Sequence, residues 1–134
     1  MNPNSSELKN ILIRFKTIAV VGLSDDQSRP SFNVANYLKD NGYKIIPVNP
    51  SCDQVLDEKC YSDLKAIDCE IDIVDIFRRS EFVPDIVEQA IEIGAKCIWM
   101  QDGVINECAA ATARAAGLEV IMDDCILRQH KLLI

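Results

Sequence analysis

The sequence predicts an α/β fold: a mostly parallel, five-stranded sheet with helices on both faces. Three observations carry that prediction. Short apolar runs rich in β-branched residues, such as Thr17-Ile18-Ala19-Val20-Val21, alternate with stretches whose apolar residues recur at helical spacing. The glycines repeat one pattern: Gly42, Gly94 and Gly117 each stand between a helix pattern and a strand pattern, whereas Gly22 and Gly103 each follow a strand. The connections are also short, which implies right-handed crossovers and strands covered on both sides. At 134 residues, 49% hydrophobic and 26% charged, the chain has the size and balance of one domain over residues 1–134.

In chain order, Ser5 or Ser6 is expected to cap a helix in which Leu8, Ile11, Leu12 and Phe15 share the face that packs on the sheet. Residues 17–21 form the first strand. Gly22 turns the chain, and a helix opens near Ser31 with Val34, Ala35 and Leu38 inward and Gly42 at its end. Tyr43 to Pro50 reads as a short strand closing in a turn at Asn49-Pro50. Pro47 removes a ladder donor, which places it near an edge, an end or an irregularity. Residues 51–70 are polar and mixed, a loop or short helix anchored by Tyr61 and Leu64. Ile71 to Phe77 returns to strand character, and Pro84 suits the first turn of a helix presenting Ile86, Val87, Ala90 and Ile91. Ala95 to Met100 is the next strand, with Trp99 a core residue. After the Gln101-Asp102-Gly103 loop, Asn106 caps a helix running to Gly117, Leu118 to Met122 closes the sheet, and residues 125–130 form a last short helix.

Fourteen Lys+Arg against twenty-one Asp+Glu give a net charge of −7, which argues against a broad nucleic-acid footprint. An anionic ligand would need a local cluster of positive groups. No apolar run reaches the roughly 20 residues of a membrane span, and residues 1–7 lack a basic region followed by an apolar core. A soluble, untargeted, cytoplasmic protein is expected. The six cysteines contain no Cys-x-x-Cys pair and His130 is the one histidine, so reduced thiols are expected rather than a zinc site. Cys125 near His130 suggests a thiol with a base, but no third group orients the pair. Asp123-Asp124 reads as a solvated turn.

Ligands of such sheets bind beyond the carboxyl ends of the strands, where the strand order reverses. The loop after Val21 is therefore the leading candidate site. The first turn of the helix opening near Ser31 offers unpaired N–H groups that suit a phosphate, and Arg29 just ahead adds a planar, permanently charged fork. The turns at Asn49-Pro50, Phe77-Arg78-Arg79 and Gln101-Asp102-Gly103 converge on the same edge. Of the adjacent Arg78 and Arg79, one is expected to face the ligand. A nicotinamide or flavin dinucleotide is disfavoured. Gly22 is followed by Leu23 and Ser24 with no further glycine until Gly42, and Asn49-Pro50 stands where an acidic residue would hold a ribose hydroxyl.

Val20-Val21-Gly22-Leu23-Ser24, Arg29-Pro30-Ser31, Pro47-Val48-Asn49-Pro50, Phe77-Arg78-Arg79-Ser80-Glu81 and Trp99-Met100-Gln101-x-Gly103 together resemble the small, single-domain CoA-binding protein family. That family is similar to the N-terminal CoA-binding domain of the succinyl-CoA synthetase α subunit. The resemblance runs from about Phe15 to His130, with five motifs in order. It implies a Rossmann-like domain with coenzyme A, or an acyl-CoA, as its ligand. Gly22, Leu23 and Ser24 would line the pyrophosphate region, Arg29 and Ser31 would contact phosphate, and Asn49 and Pro50 would border the adenosine. Phe77, Arg78 and Arg79 would form another wall, with Gln101 and Gly103 nearer the pantetheine arm.

Two positions depart from the family pattern: Asp57 stands where glycine is expected, and Asp124 where arginine is expected. Nothing resembles a catalytic constellation, and the ligase domain with a phosphohistidine that accompanies the similar domain of succinyl-CoA synthetase has no counterpart in the sequence. The expectation is a non-catalytic CoA-binding module, set against an enzyme acting on CoA thioesters or CoA disulfides and a regulatory protein with a vestigial pocket. Neither a membrane nor nucleic acid is expected as a partner, and the sequence names no protein partner.

Overall fold

The computed structural model describes residues 2–134. Its elements run α1 (Ser5–Arg14), β1 (Thr17–Val21), α2 (Pro30–Asp40), β2 (Lys44–Val48), β3 (Gln54–Val55), β4 (Glu58–Lys59), β5 (Ile73–Ile76), α3 (Val83–Glu92), β6 (Cys97–Met100), α4 (Glu107–Ala115), β7 (Glu119–Ile121) and α5 (Ile126–Leu133). Five strands form one sheet in the order β2-β1-β5-β6-β7. Every neighbouring pair is parallel. The chain moves outward from β1 to β2, returns to β5 on the other side of β1, and continues to β7. The order therefore reverses between β1 and β5.

Near-continuous apolar strands are what a sheet covered on both faces requires. Alternate residues feed two cores: Ala19, Val21, Val74, Ile76 and Ile98 pack with Val83, Val87, Ala110 and Ala113 of α3 and α4. Ile18, Val20, Ile73, Cys97 and Trp99 pack with Leu12, Val34, Leu38 and Ile126 of α1, α2 and α5. Trp99 is fully buried and its indole N–H donates to the Asp124 carbonyl at 3.0 Å. The expected α/β class, the five parallel strands and the two helical layers are all present.

Pro47 lies on β2, an outer strand of the sheet, and Tyr61 approaches there, its N–H donating to the Pro47 carbonyl at 3.0 Å. Several local expectations change. Asn4, not Ser5 or Ser6, caps α1: its side chain accepts from the Glu7 N–H at 2.9 Å while the Glu7 carboxylate accepts from the Asn4 N–H at 3.2 Å. That reciprocal box satisfies two donors at once, which a lone serine cap cannot do. Residues 51–70 hold an antiparallel hairpin, β3 with β4, besides a short 3-10 turn at Leu64–Ala66. Its turn residues Leu56 and Asp57 have φ of 55° and 62°, so Asp57 occupies the left-handed region in which glycine is expected. Leu64 is buried, as an anchor should be, and Tyr61 is half-buried. Among the described residues no helix is long and apolar enough to cross a membrane.

Candidate functional site

Gly22 fixes the geometry of the carboxyl edge. Its N–H donates to the Val48 carbonyl at 2.8 Å, and its φ of +86° is one that side chains resist. A Cβ there would stand 2.6 Å from the Phe77 carbonyl oxygen and 3.1 Å from the Arg78 Cδ. The loops after β1 and β5 can thus approach at the reversal point because this residue has no side chain.

From Gly22 the chain dips inward. The Leu23 side chain is fully buried, so this residue offers the edge only backbone. Its carbonyl accepts from Asn49 Nδ2 at 3.0 Å, and Asn49 Oδ1 accepts from the Ser51 N–H at 2.9 Å. Asn49 therefore ties the loops after β1 and β2 together, leaving Pro50 exposed beside them. The Ser24 N–H donates to Ser31 Oγ at 3.1 Å, and Ser24 Oγ accepts from the Asp26 N–H at 3.0 Å. Both hydroxyls serve here as acceptors, which leaves each O–H free to donate. Asp26 holds the loop by accepting from the Ser28 hydroxyl and N–H, bonds that lower its carboxyl from the usual value.

Arg29 stands at the N-cap of α2 with Pro30 in the first turn, and no side chain among the described residues caps this helix. The positive end of the helix dipole and the charge of Arg29 therefore lie at the same end of α2. Arg78 and Arg79 separate as adjacency requires. Arg78 is half-buried and stacks its guanidinium 4.5 Å from the Phe82 ring centroid, whereas Arg79 is exposed and lies 4.0 Å from Glu81.

Three hollows surround these groups. One of about 310 Å³ lies over Gly22, Ser24, Arg29, Ser31 and Phe77. It shares Pro30 and Phe77 with a second, of about 390 Å³, that runs along Val34, Gln101, Val104 and Cys125. A third, of about 170 Å³, opens among Val21, Val48, Pro50, Leu64 and Ile86. The first two adjoin the core built on α2 and α5, and the third adjoins the core under α3. Arg78 lines both the second and the third, so it sits astride the sheet edge.

Gln101 is buried, and its side-chain oxygen accepts from the Ile126 N–H at 3.2 Å. The Gly103 N–H donates to Asp123 Oδ1 at 2.8 Å. Asp124, in the place where arginine is expected, accepts from Arg128 at 2.8 Å and Gln129 at 2.9 Å, and Arg128 reaches Asp102 at 2.8 and 3.0 Å. Of these residues, Gln101 and Asp102 line the second hollow. In the Asp123-Asp124 turn Asp123 is exposed, as a solvated turn implies, whereas Asp124 is half-buried, and both carboxylates accept hydrogen bonds. His130 Nδ1 lies 2.6 Å from the Tyr37 hydroxyl, and burial lowers its pKa below the usual value. It is engaged with α2.

Sequence reasoning missed Val34, Val104 and Cys125 as walls of the second hollow, and Ser62, Asp63 and Gln89 at the third. These residues are brought together only by packing, and no local pattern marks them. Among the described residues no group of three or more His, Cys, Asp or Glu side chains could hold a metal ion.

Residues 16–131 match a family model described as CoA binding domain. The chain is 49% identical over 129 residues to an uncharacterized protein, YneT, of Bacillus subtilis, covering 96% of each. It is 37% identical over 83 residues to an ADP-forming acetate–CoA ligase II of Archaeoglobus fulgidus, covering 60% of this chain and 12% of that much longer protein. A solved hypothetical protein of Pyrococcus horikoshii superposes with a TM-score of 0.96 at 37% identity, covering 98% of this chain and 92% of the other. A structure from Thermus thermophilus superposes with a TM-score of 0.94 at 31% identity, covering 98% and 100%.

Proposed function

The chain belongs to the CoA-binding domain family, and on that premise we propose that it binds coenzyme A or an acyl-CoA along the carboxyl edge of the sheet, without transforming it. One observation carries the reading: the hollows on the two sides of the sheet meet at Arg78, beside a residue that has no side chain. A ligand with a flat base, a run of phosphates and a long flexible arm can cross such an edge. Its phosphates pass over Gly22, held by Arg29, by the first turn of α2 and by the free hydroxyl protons of Ser24 and Ser31. The adenosine lies by Pro50 and the loop pinned by Asn49, and Arg78 serves the nucleotide's phosphates from the opposite wall. Arg79, turned to solvent, contributes long-range charge. The pantetheine arm follows Phe77 and Gln101 past Gly103 into the apolar hollow, which is bounded by Val34 and Val104.

The non-catalytic part of the proposal is supported by His130, the candidate base, being bonded to Tyr37. Calorimetric titration of reduced protein with CoA, dephospho-CoA, NAD and ATP tests the reading. Saturable CoA binding is expected, weakened at least about tenfold by Arg78→Ala, because a charge-assisted hydrogen bond contributes roughly 1.5–3 kcal/mol. A folded protein that ignores CoA, or that prefers NAD, overturns it.

A further inference from the structure

We propose that Asp63 and Gln89 read the base of the ligand in the third hollow, selecting adenine over a 6-oxopurine such as hypoxanthine or guanine. The inference rests on the CoA reading above and gives one part of that ligand its specificity. The hollow, about 170 Å³, is lined by Val48, Pro50, Leu64, Phe82 and Ile86 together with the polar Asp63, Asp85 and Gln89. Pockets that take a whole drug-sized molecule run to roughly 300–1,000 Å³, so this one suits a fragment such as a single ring system. Its apolar side chains suit the faces of a flat ring. Two carboxylates against the one guanidinium of Arg78 make it a poor place for a phosphate, which they would repel. A planar, uncharged base is the part of the nucleotide that fits.

Both polar groups are held by bonds that use only half of each side chain. Asp63 Oδ1 accepts from the Ala66 N–H at 3.0 Å, capping the 3-10 turn at Leu64–Ala66. Gln89 Oε1 accepts from the Leu64 N–H at 3.2 Å, which pins that turn to α3. The orientation of the amide follows, because only its oxygen can accept. The carboxylate and the amide thus meet at the start of one turn. Among the described residues neither Asp63 Oδ2 nor Gln89 Nε2 has a hydrogen-bond partner, so the lining carries one spare acceptor and one spare donor. The edge of adenine farthest from the ribose is their complement: its 6-amino group donates to Asp63 Oδ2, and its N1 accepts from Gln89 Nε2. With the ribose beside Pro50, that edge enters the hollow first. In a 6-oxopurine both groups are reversed, since O6 accepts and N1–H donates. Acceptor would then face acceptor and donor would face donor, leaving all four groups unpaired.

The test is calorimetric titration with CoA and with its inosine counterpart, in which O6 replaces the 6-amino group and N1 carries a proton while the phosphates and pantetheine are unchanged. The parent protein should bind CoA at least about tenfold more tightly than the inosine form. Asp63→Asn and Gln89→Glu each keep the oxygen that accepts from the backbone, so the fold should stand, and together they exchange donor for acceptor. The double variant should reverse the preference. Equal affinities in the parent would overturn the inference and leave CoA binding intact, and this comparison needs no variant to fold. A double variant with the parent's urea midpoint that still prefers CoA would also overturn it. If the folded parent binds neither ligand, the CoA reading itself fails and the inference falls with it, a result distinct from equal affinities.

Discussion

The two ends of the sheet treat their charges differently. At the amino end, Asp72 accepts from the Lys16 N–H at 3.1 Å, the Thr17 N–H at 3.2 Å and the Lys96 ammonium at 3.1 Å. Backbone bonds complete the seam, from Lys44 to Lys16, from Asp72 to Thr17 and from Glu119 to Lys96, each between 2.8 and 3.0 Å. At the carboxyl end backbone bonds also join the loops, from Gly22 to Val48 and from Phe77 to Val21, but Arg29 is exposed, Arg78 leans on an aromatic ring, and open hollows lie over the edge. Asp72 and Lys96 at the amino end hold the strands together, whereas at the carboxyl end Arg128 pairs with Asp102 and Asp124, and Arg29 and Arg78 make no ion pair among the described residues. Substitutions at the first should change stability, and those at the second should change binding. Gly22 is the exception, since it belongs to the binding edge and yet should carry the largest stability effect.

Gly22→Ala combines a left-handed backbone with a contact of 2.6 Å to a carbonyl that cannot move aside. A loss of about 3 kcal/mol is expected in urea unfolding, from strain and overpacking together. Gly42→Ala shares a positive φ but meets nothing within 4 Å, so it should lose only about 1 kcal/mol. Equal losses at the two positions would show that the loops can part and that the close approach is not essential. Next in size comes Arg29→Ala, which should weaken CoA by about tenfold and leave the urea midpoint unchanged, because the side chain is exposed. A shifted midpoint with intact affinity would reverse the roles assigned to the two ends.

The parts of this design that were legible in the sequence are those with a period. Strands such as Thr17–Val21 and the glycine joints at 42, 94 and 117 follow from apolar runs and left-handed caps. All three glycines have φ between +77° and +91°. The Asn4 cap hid among three cap-forming residues in a row, although Glu7 at the third helical position marks Asn4 by the box it makes. The hairpin was hidden because its turn is Leu56-Asp57, without the Asn-Gly or Asp-Gly that signals such turns. The loop proposed to hold phosphate could be located from Gly22 and Arg29, but the apolar wall of Val34, Val104 and Cys125 comes from three distant segments and exists only after folding. The lack of a partner for Asp75 was equally hidden, since the sequence shows an acid within an apolar run but not what faces it.

Asp75 sharpens the comparison, because it lies on β5, which Asp72 immediately precedes, and has none of Asp72's partners. Fully buried between Val20 and Trp99, it has neither carboxylate oxygen hydrogen-bonded, and burial raises its pKa well above the ordinary 3.8. Burial therefore favours its neutral form in the fold. A raised folded pKa means that its share of stability is fully present below pH 3.8 and is lost as pH rises towards the folded value, because the unfolded chain ionises first. Asp75→Leu keeps the branched shape and removes the unmet polar group. It should stabilise the protein by at least about 2 kcal/mol at pH 7, by a margin that widens as pH rises above 3.8. A margin that stays constant across that range would mean that Asp75 is ionised and paired in the folded chain.

Asp72 should give a smaller effect of opposite sign. Burial alone would raise its pKa, but the hydrogen bonds from the Thr17 N–H, Lys96 and the Lys16 N–H outweigh it and hold the carboxyl below 3.8. A lowered folded pKa contributes stability that is present above the unfolded value and disappears as pH falls through the folded one. Asp72→Ala should therefore lose about 1–2 kcal/mol at pH 7, the range for hydrogen bonds to a charged acceptor, and its urea midpoint should approach the parent's only below pH 3.8. CoA affinity should be unchanged, since the residue lies at the far end of the sheet. The two aspartates then act in separate pH windows, Asp72 below the ordinary carboxylate range and Asp75 above it. The double variant should show neither dependence, and because the residues share no hydrogen-bond partner, their effects at pH 7 should add.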